Sequence, residues 1–214
     1  MYNLRNKYII YIIYKINNMH IKNIILDIDE TLIHCKLTEP KEYNHSFVID
    51  KIKYYIIYRP YLEEFINFIF NNFDTINIWT AATQDYAHKI ILKILNTKLK
   101  NKALITSKLK CFYTRKHVSN DGTKELAKIF NNKCSIKLNI QPHNTVMIDD
   151  KSHVFNKNTG NGLIIPAFMG NKKDTNLLKL IHFLKLIQEE KLLINSNEDS
   201  IDLSEIFNSY KNKE

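Results

Sequence analysis

Short apolar runs rich in β-branched residues alternate along this chain with longer stretches whose apolar positions recur every three or four residues. Ile21 to Leu26 is the first such run and stops abruptly at acids, the pattern of a buried parallel strand. Phe47 to Ile49 and Tyr54 to Tyr58 flank the polar pair Asp50-Lys51 and predict a hairpin. Arg59-Pro60 then opens a helix, with Leu62, Phe65, Ile66 and Ile69 as its apolar stripe. Ile76 to Trp79 predicts a second buried strand, and Ile90, Ile91, Ile94 and Leu95 the core face of the helix after it. A third strand is expected around Ala103 to Thr106. Thr123 is placed to cap a short helix containing Leu126, Ile129 and Phe130. Thr145 to Ile148 and Leu163 to Ile165 read as further strands. A long helix starts at Asp174, runs through Leu177, Leu178, Ile181, Leu184 and Leu186, and ends near Ile194. Strands alternating with helices predict an α/β fold, a parallel sheet covered on both faces by helices.

This pattern divides the chain into residues 1–18, an N-terminal extension or upstream mis-start, a domain over 19–194, and a polar, mobile tail over 195–214. The apolar run Tyr8 to Tyr14 is far shorter than the roughly 20 residues of a membrane span and lacks a secretory cleavage site. Lys179, His182 and Lys185 interrupt the apolar stripe of the last helix, so it too reads as packing. The expectation is therefore a soluble intracellular protein of the cytoplasm or nucleus, without a membrane partner. Cys35, Cys111 and Cys134 fall in no metal-ligand spacing and read as reduced thiols. The formal charge of +9 leaves nucleic acid open as a partner. Lysine spread by the codon bias of an AT-rich genome explains the same number.

Candidate chemistry sits where strands end: Asp27 and Asp29 after the first, Thr80 after the second, Asp149 and Asp150 after the fourth. In an open α/β sheet, ligands lie outside the carboxyl ends of the strands, where such residues converge. Phosphoryl transfer needs this set: a carboxylate nucleophile, a second carboxyl group for proton transfer, and groups that hold phosphoryl oxygens. Magnesium suits an all-oxygen site of this kind. Asp at a strand end or helix start is also a common cap, and Thr80 alone reads equally well as an N-cap.

The run Asp27-Ile28-Asp29-Glu30-Thr31 resembles the first motif (DxDxT) of the haloacid-dehalogenase (HAD) superfamily. Glu30, where most members carry Gly, is similar to the FCP/SCP branch, the RNA polymerase II C-terminal-domain (CTD) phosphatases. Arg59-Pro60-Tyr61-Leu62, Trp79-Thr80-Ala81-Ala82, Val146-Met147-Ile148-Asp149-Asp150 and Ile165-Pro166-Ala167-Phe168 follow in that branch's order. The resemblance spans roughly residues 20–188. It implies a HAD-like, Rossmannoid sheet with a small β-hairpin insert between the first two motifs. It implies Asp27 as nucleophile and Asp29 as general acid/base, with Thr31, Thr80 and Lys124 binding phosphate. It implies Mg2+ held by Asp27, the Asp29 carbonyl, Asp149 and Asp150. Lys124 has Lys108, Lys110 and Lys116 as rivals. Residues 107–123 depart from the family pattern, with Lys108 standing in for an expected arginine. His143 and His153 beside the fourth motif read as surface imidazoles.

The leading expectation is a Mg-dependent phosphoserine/threonine phosphatase working through an aspartyl-phosphate on Asp27. Its partner would be a phosphorylated protein or peptide, the RNA polymerase II CTD among the candidates. The short insert leaves no room for a lid domain, which suits an extended substrate. Tyr54, Tyr55, Tyr58 and Tyr61 either line a peptide groove there or serve as hairpin face and core. The alternatives are a HAD phosphomonoesterase acting on nucleic-acid ends or small metabolites, and a non-catalytic binding relative.

Overall fold

The structure, a computed structural model, describes residues 21–98, 105, 107–157, 161–188 and 201–202. In chain order its elements begin with β1 (Asn23–Leu26), β2 (Ile33–Lys36), β3 (His45–Ile49), β4 (Ile52–Tyr58), α1 (Leu62–Asn72), β5 (Thr75–Trp79) and α2 (Gln84–Lys98). They continue with β6 (Leu109–Tyr113), α3 (Leu126–Phe130), α4 (Lys133–Lys137), β7 (Thr145–Asp149), β8 (Gly162–Ile164), α5 (Asn176–Gln188) and β9 (Ile201–Asp202).

The main sheet runs β6-β5-β1-β7-β8-β9 with every pairing parallel. β1 is central because its four residues are all buried and apolar or hydrogen-bonded, so it tolerates cover on both faces. Its alternation sorts the core in two. Ile24 and Leu26 join Ile76, Ile78, Val146 and Ile148 in a cluster with residues of α1, α2 and α5. Ile25 joins Trp79 and Met147 in the opposite cluster, closed by Leu126 and Ile129 of α3 with Val154 and Phe155. The result is a helix-flanked, Rossmann-like parallel sheet, as expected.

Register follows from the amino-terminal edge. The Asn23 amide donates to Asn144 Oδ1 at 2.8 Å, and the Thr75 hydroxyl donates to Asn23 Oδ1 at 2.7 Å. These bonds fix where β1, β5 and β7 start; Leu26 consequently lies beside both Ile78 and Ile148. Asp27, Thr80 and Asp149-Asp150 leave the sheet at one edge, where the strand order reverses direction from β1.

Between β1 and α1 lies a second, antiparallel sheet in the order β2-β4-β3. Its hairpin turn places both Asp50 and Lys51 at positive φ, 49° and 66°, as a two-residue turn of the I′ class requires. Glu30 is left-handed as well, with φ 58°. A non-glycine residue there costs about 1–2 kcal/mol, so the surroundings must hold it. Glu30 N donates to the Ile33 carbonyl at 2.8 Å, and the Glu30 carbonyl accepts from Phe168 N at 2.7 Å. Arg59, fully buried, completes the clamp. Its guanidinium donates to the Thr31 carbonyl (2.9 Å), the Glu30 carbonyl (3.4 Å), the Pro166 carbonyl (2.6 Å) and both Asp174 carboxylate oxygens (3.0 and 2.9 Å). The Phe168 ring covers it at 5.5 Å.

Several expected boundaries move. Pro60 and Tyr61 form a turn, Tyr61 left-handed at φ 63°, and α1 starts only at Leu62. The strand expected at Ala103 to Thr106 lies mostly outside the described residues; Ile105 is helical, and the strand forms at Leu109–Tyr113. Thr123 does not cap α3. Glu125 holds that position, and the Thr123 hydroxyl turns back to Asp121 at 2.7 Å. The expected extension over 1–18 and most of the tail over 195–214 fall outside the described residues, although Ile201-Asp202 pairs with β8. No helix among the described residues is long and apolar enough to cross a membrane.

Arg59→Met should lower the unfolding free energy in urea by about 3–5 kcal/mol, since it strands the Asp174 carboxylate and takes a donor from three loop carbonyls. Burial alone would raise the Asp174 pKa, but its bonds to Arg59 and Asn176 win and hold it below the ordinary 3.8. A depressed carboxyl stabilises the fold above its unfolded pKa and loses that contribution as pH falls through the folded one. The stability gap between wild type and Asp174→Asn should therefore persist from neutral pH to about 4 and shrink below it.

Candidate active site

Asp27 follows β1 directly, its N–H donating to the Ile148 carbonyl at 3.0 Å, which ties it to the neighbouring strand. Asp149 closes β7, and its Oδ1 accepts the Lys151 N–H at 3.0 Å, locking the side chain in a tight turn. Between them stands Lys124. Its buried ammonium donates to Asp27 Oδ1 and Asp149 Oδ2, each at 2.6 Å, and to the Trp79 carbonyl at 2.7 Å. The loop before α3 delivers it. Ser119 N and Thr123 O bond at 2.9 Å, Lys124 N donates to the Val154 carbonyl at 3.1 Å, and exposed Lys157 bridges Asp121 and Glu125 outside. Gly122 sits at φ +83° in that loop, where a side chain would press on the His153 ring at 3.2 Å.

These residues open onto a cavity of about 420 Å³, lined also by Asp29, Tyr54, Thr80, Tyr86, Arg115 and Lys151. Thr80 accepts the Ala82 N–H at 3.1 Å and so shapes the turn after β5; its own O–H remains a donor toward the cavity. Asp29 accepts a hydrogen bond from the Tyr86 hydroxyl at 2.5 Å. Burial pushes the Asp29 carboxyl up to about 6, against the lowering effect of that bond.

The charges do not balance. Burial tends to neutralise Lys124, yet the Asp27 and Asp149 carboxylates hold its pKa above the ordinary value, so it stays an ammonium. One ammonium cannot satisfy every acid around it. Asp27 is pushed well up, by burial first, then by Asp149 against the pull of Lys124. Asp150 is pushed up to about 6, by burial and then by Asp149. One oxygen from each of Asp27, Asp149 and Asp150 lies within 4.8 Å of the others, and the buried Asp150 Oδ1 has no hydrogen-bond partner among the described residues. A surplus of buried carboxylate oxygens with an orphaned acceptor among them is the donor set of a hard divalent cation, and Mg2+ fits it.

Of the residues expected from sequence, Asp27, Asp29, Thr80, Lys124 and Asp149 meet at the cavity, with Asp150 beside them in the carboxylate cluster. Thr31 does not line the cavity; it is fully buried and its hydroxyl has no partner among the described residues. Lys108 cannot stand in for a substrate arginine. It precedes β6, at the opposite edge of a parallel sheet, and donates to the Phe73 carbonyl at 2.7 Å. Arg115, two residues beyond β6, lines the cavity instead. His143 and His153 are both exposed, as expected, and His153 also lines the cavity. Only Tyr54 of the four insert tyrosines lines it; Tyr55 is buried and Tyr61 lies exposed in the turn before α1. Tyr86, Arg115 and Lys151 escaped the sequence reading. A correctly placed β6 would have exposed Arg115, which follows a strand end like the others. Nothing local singles out Tyr86, whose partner is 57 residues away.

A profile of the family described as NLI interacting factor-like phosphatase matches residues 22–193. The chain belongs to this family. Curated relatives of this NLI interacting factor-like chain include CTD small phosphatase-like protein 2 of Dictyostelium discoideum, 30% identical over 169 residues, 76% of this chain and 27% of that protein. CTD small phosphatase-like protein 3 of Caenorhabditis elegans is 30% identical over 171 residues, 77% of this chain and 53% of its own length. The chain thus spans about a quarter and about half of these two relatives. A solved structure of Fcp1, an RNA polymerase II CTD phosphatase, superposes with a TM-score of 0.49 at 19% identity, covering 97% of this chain and 64% of that one. That score is too low to bear on the fold, which rests on the sheet topology.

Millimolar Mg2+ should raise the melting temperature of the wild type, reaching about 2.7 kcal/mol of added stability at a hundred times the dissociation constant. Asp150→Asn removes one of the three clustered carboxylates and should lose most of this gain, as read by calorimetric titration with the metal alone.

Proposed function

We propose that this chain is a Mg-dependent phosphoprotein phosphatase, cleaving phosphoserine or phosphothreonine through an aspartyl-phosphate on Asp27. The observation that carries the proposal is the Lys124 ammonium, 2.6 Å from both Asp27 and Asp149 with Asp29 on the same cavity wall. It supports a site built to bring a carboxylate against a phosphate. In the first step an Asp27 oxygen attacks phosphorus while the bond from phosphorus to the substrate's oxygen breaks. The protonated Asp29 carboxyl gives its proton to that oxygen, and the alcohol leaves. In the second step water attacks phosphorus, Asp29 takes back a proton, and the bond to Asp27 breaks, releasing phosphate and the free carboxylate. A carboxyl raised to about 6 suits both roles near neutrality.

Lys124 offsets charge on the phosphoryl group, and Thr80 offers a hydroxyl donor beside it. Mg2+, held by Asp27, Asp149, Asp150 and the Asp29 carbonyl, would supply the remaining positive charge between the acids and the phosphate. A protein or peptide substrate is favoured because the insert is a three-stranded sheet beside the cavity, with Tyr54 and Tyr86 on the cavity wall, rather than a domain above it. The RNA polymerase II CTD expected from the sequence resemblance is one such substrate.

Asp27→Asn should lower kcat on a phosphoserine peptide by about a thousandfold or more, and chelation of Mg2+ should abolish wild-type turnover. Acid-quenched wild type should carry phosphate on Asp27, seen by mass spectrometry. Retained activity in Asp27→Asn would sink the mechanism. Faster turnover of a 5′-phosphorylated oligonucleotide than of Ser-Pro phosphopeptides would move the substrate class to nucleic acid.

A further inference from the structure

Tyr86 lies in the first turn of α2, buried, with its ring between Phe47 (5.8 Å between centroids) and Tyr54 (5.3 Å). That aromatic packing fixes the direction of its hydroxyl. The O–H donates to Asp29 Oδ1 at 2.5 Å, and the Cys35 thiol of β2 is a hydrogen-bond neighbour of the tyrosine hydroxyl itself. The hydroxyl is thus flanked by one acceptor and one weak donor, and its single proton is committed to Asp29.

We propose that Tyr86 is a positioning residue that assigns the two Asp29 oxygens different tasks: Oδ1 is held by the tyrosine, and Oδ2 is left to carry the proton at the cavity. The inference rests on the reading of Asp27 as nucleophile and Asp29 as acid and base. The terminal torsion of an aspartate is broad and nearly twofold, so an unheld carboxyl turns either oxygen outward. Asp29 follows β1 in a loop whose next residue is already left-handed, and the backbone alone does not fix its carboxyl plane. An oxygen already accepting a strong hydrogen bond is the poorer place for a proton, so the acidic proton resides on Oδ2. In the forward step that proton passes to the oxygen leaving phosphorus as the Asp27 bond forms. Tyr86 itself neither gains nor loses a proton.

The separating variable is the leaving group. A serine alkoxide needs its proton, whereas 2,4-dinitrophenolate leaves without one. The readout is kcat/KM, which covers steps only as far as departure of the alcohol or phenol. Tyr86→Phe keeps the ring and removes the hydroxyl. It should lower kcat/KM on a phosphoserine peptide by about tenfold or more, and on 2,4-dinitrophenyl phosphate by less than about twofold. Its melting temperature should stay within a few degrees of wild type. In an Asp29→Asn background the same change should cause no further loss. Equal losses on both substrates would overturn the proposal in favour of ring packing or substrate contact, as would no loss on either. A full second loss in the Asp29→Asn background would also overturn it. The reading beneath it fails by a different sign, turnover that survives Asp27→Asn, and the proposal falls with it.

Discussion

One ammonium among several carboxyl groups organises this molecule. Lys124 is buried, and so are Asp27 and Asp149. None of the three would keep its charge alone, because the penalty for a lone buried ion exceeds anything packing returns. Their charges therefore define one another's positions. Two strands must end side by side to offer the acids, and a loop of the second half of the domain must reach across to offer the base. The parallel register, the turn at Gly122 and the brace of Lys157 on Asp121 and Glu125 all serve that meeting. The remaining excess of negative charge favours a cation beside these acids.

A second cation works behind the first. Arg59 does not line the active-site cavity. It uses its five guanidinium N–H groups on the carbonyls of Glu30, Thr31 and Pro166 and on the carboxylate of Asp174. Its object is backbone shape: the left-handed Glu30, the stretch around Phe168 and the start of α5 are pinned to one point. Lys is no substitute for such a fork, because a point charge cannot address four separate groups in fixed directions. The division is clean. Lys124 sets the electrostatics of the site, and Arg59 sets the path of the loop that carries Asp29.

Much of this was legible in the sequence, for a physical reason. Buried parallel strands write themselves as unbroken apolar runs, and acids at their ends are conspicuous, so β1, β5 and β7 with Asp27, Thr80 and Asp149-Asp150 could be read directly. Lys124 was readable only through resemblance, since lysine is abundant here. What failed was what depends on the third dimension. A strand misplaced by about six residues carried Lys108 to the wrong edge of the sheet and hid Arg115. Arg59 and Asp174 both stood out in recognisable motifs, yet their pairing spans 115 positions. Tyr86 drew no notice, because its hydroxyl matters only once the loop after β1 and α2 have come together. Thr123 looked like a cap because the alternative, a local bond back to Asp121, uses the same chemistry.

The reach of Arg59 has a consequence for how the molecule comes into being. Asp27 to Thr31 is made early, but three of the five bonds from Arg59 go to Pro166 and Asp174. A growing chain that has passed β1, the antiparallel insert and α1 has only the other two, to the Glu30 and Thr31 carbonyls, to hold the acidic loop. Closing so long a loop carries an entropy cost that grows with its length. A chain without the segment before α5 therefore carries Asp27 and Asp29 while lacking three of the five bonds that shape their loop.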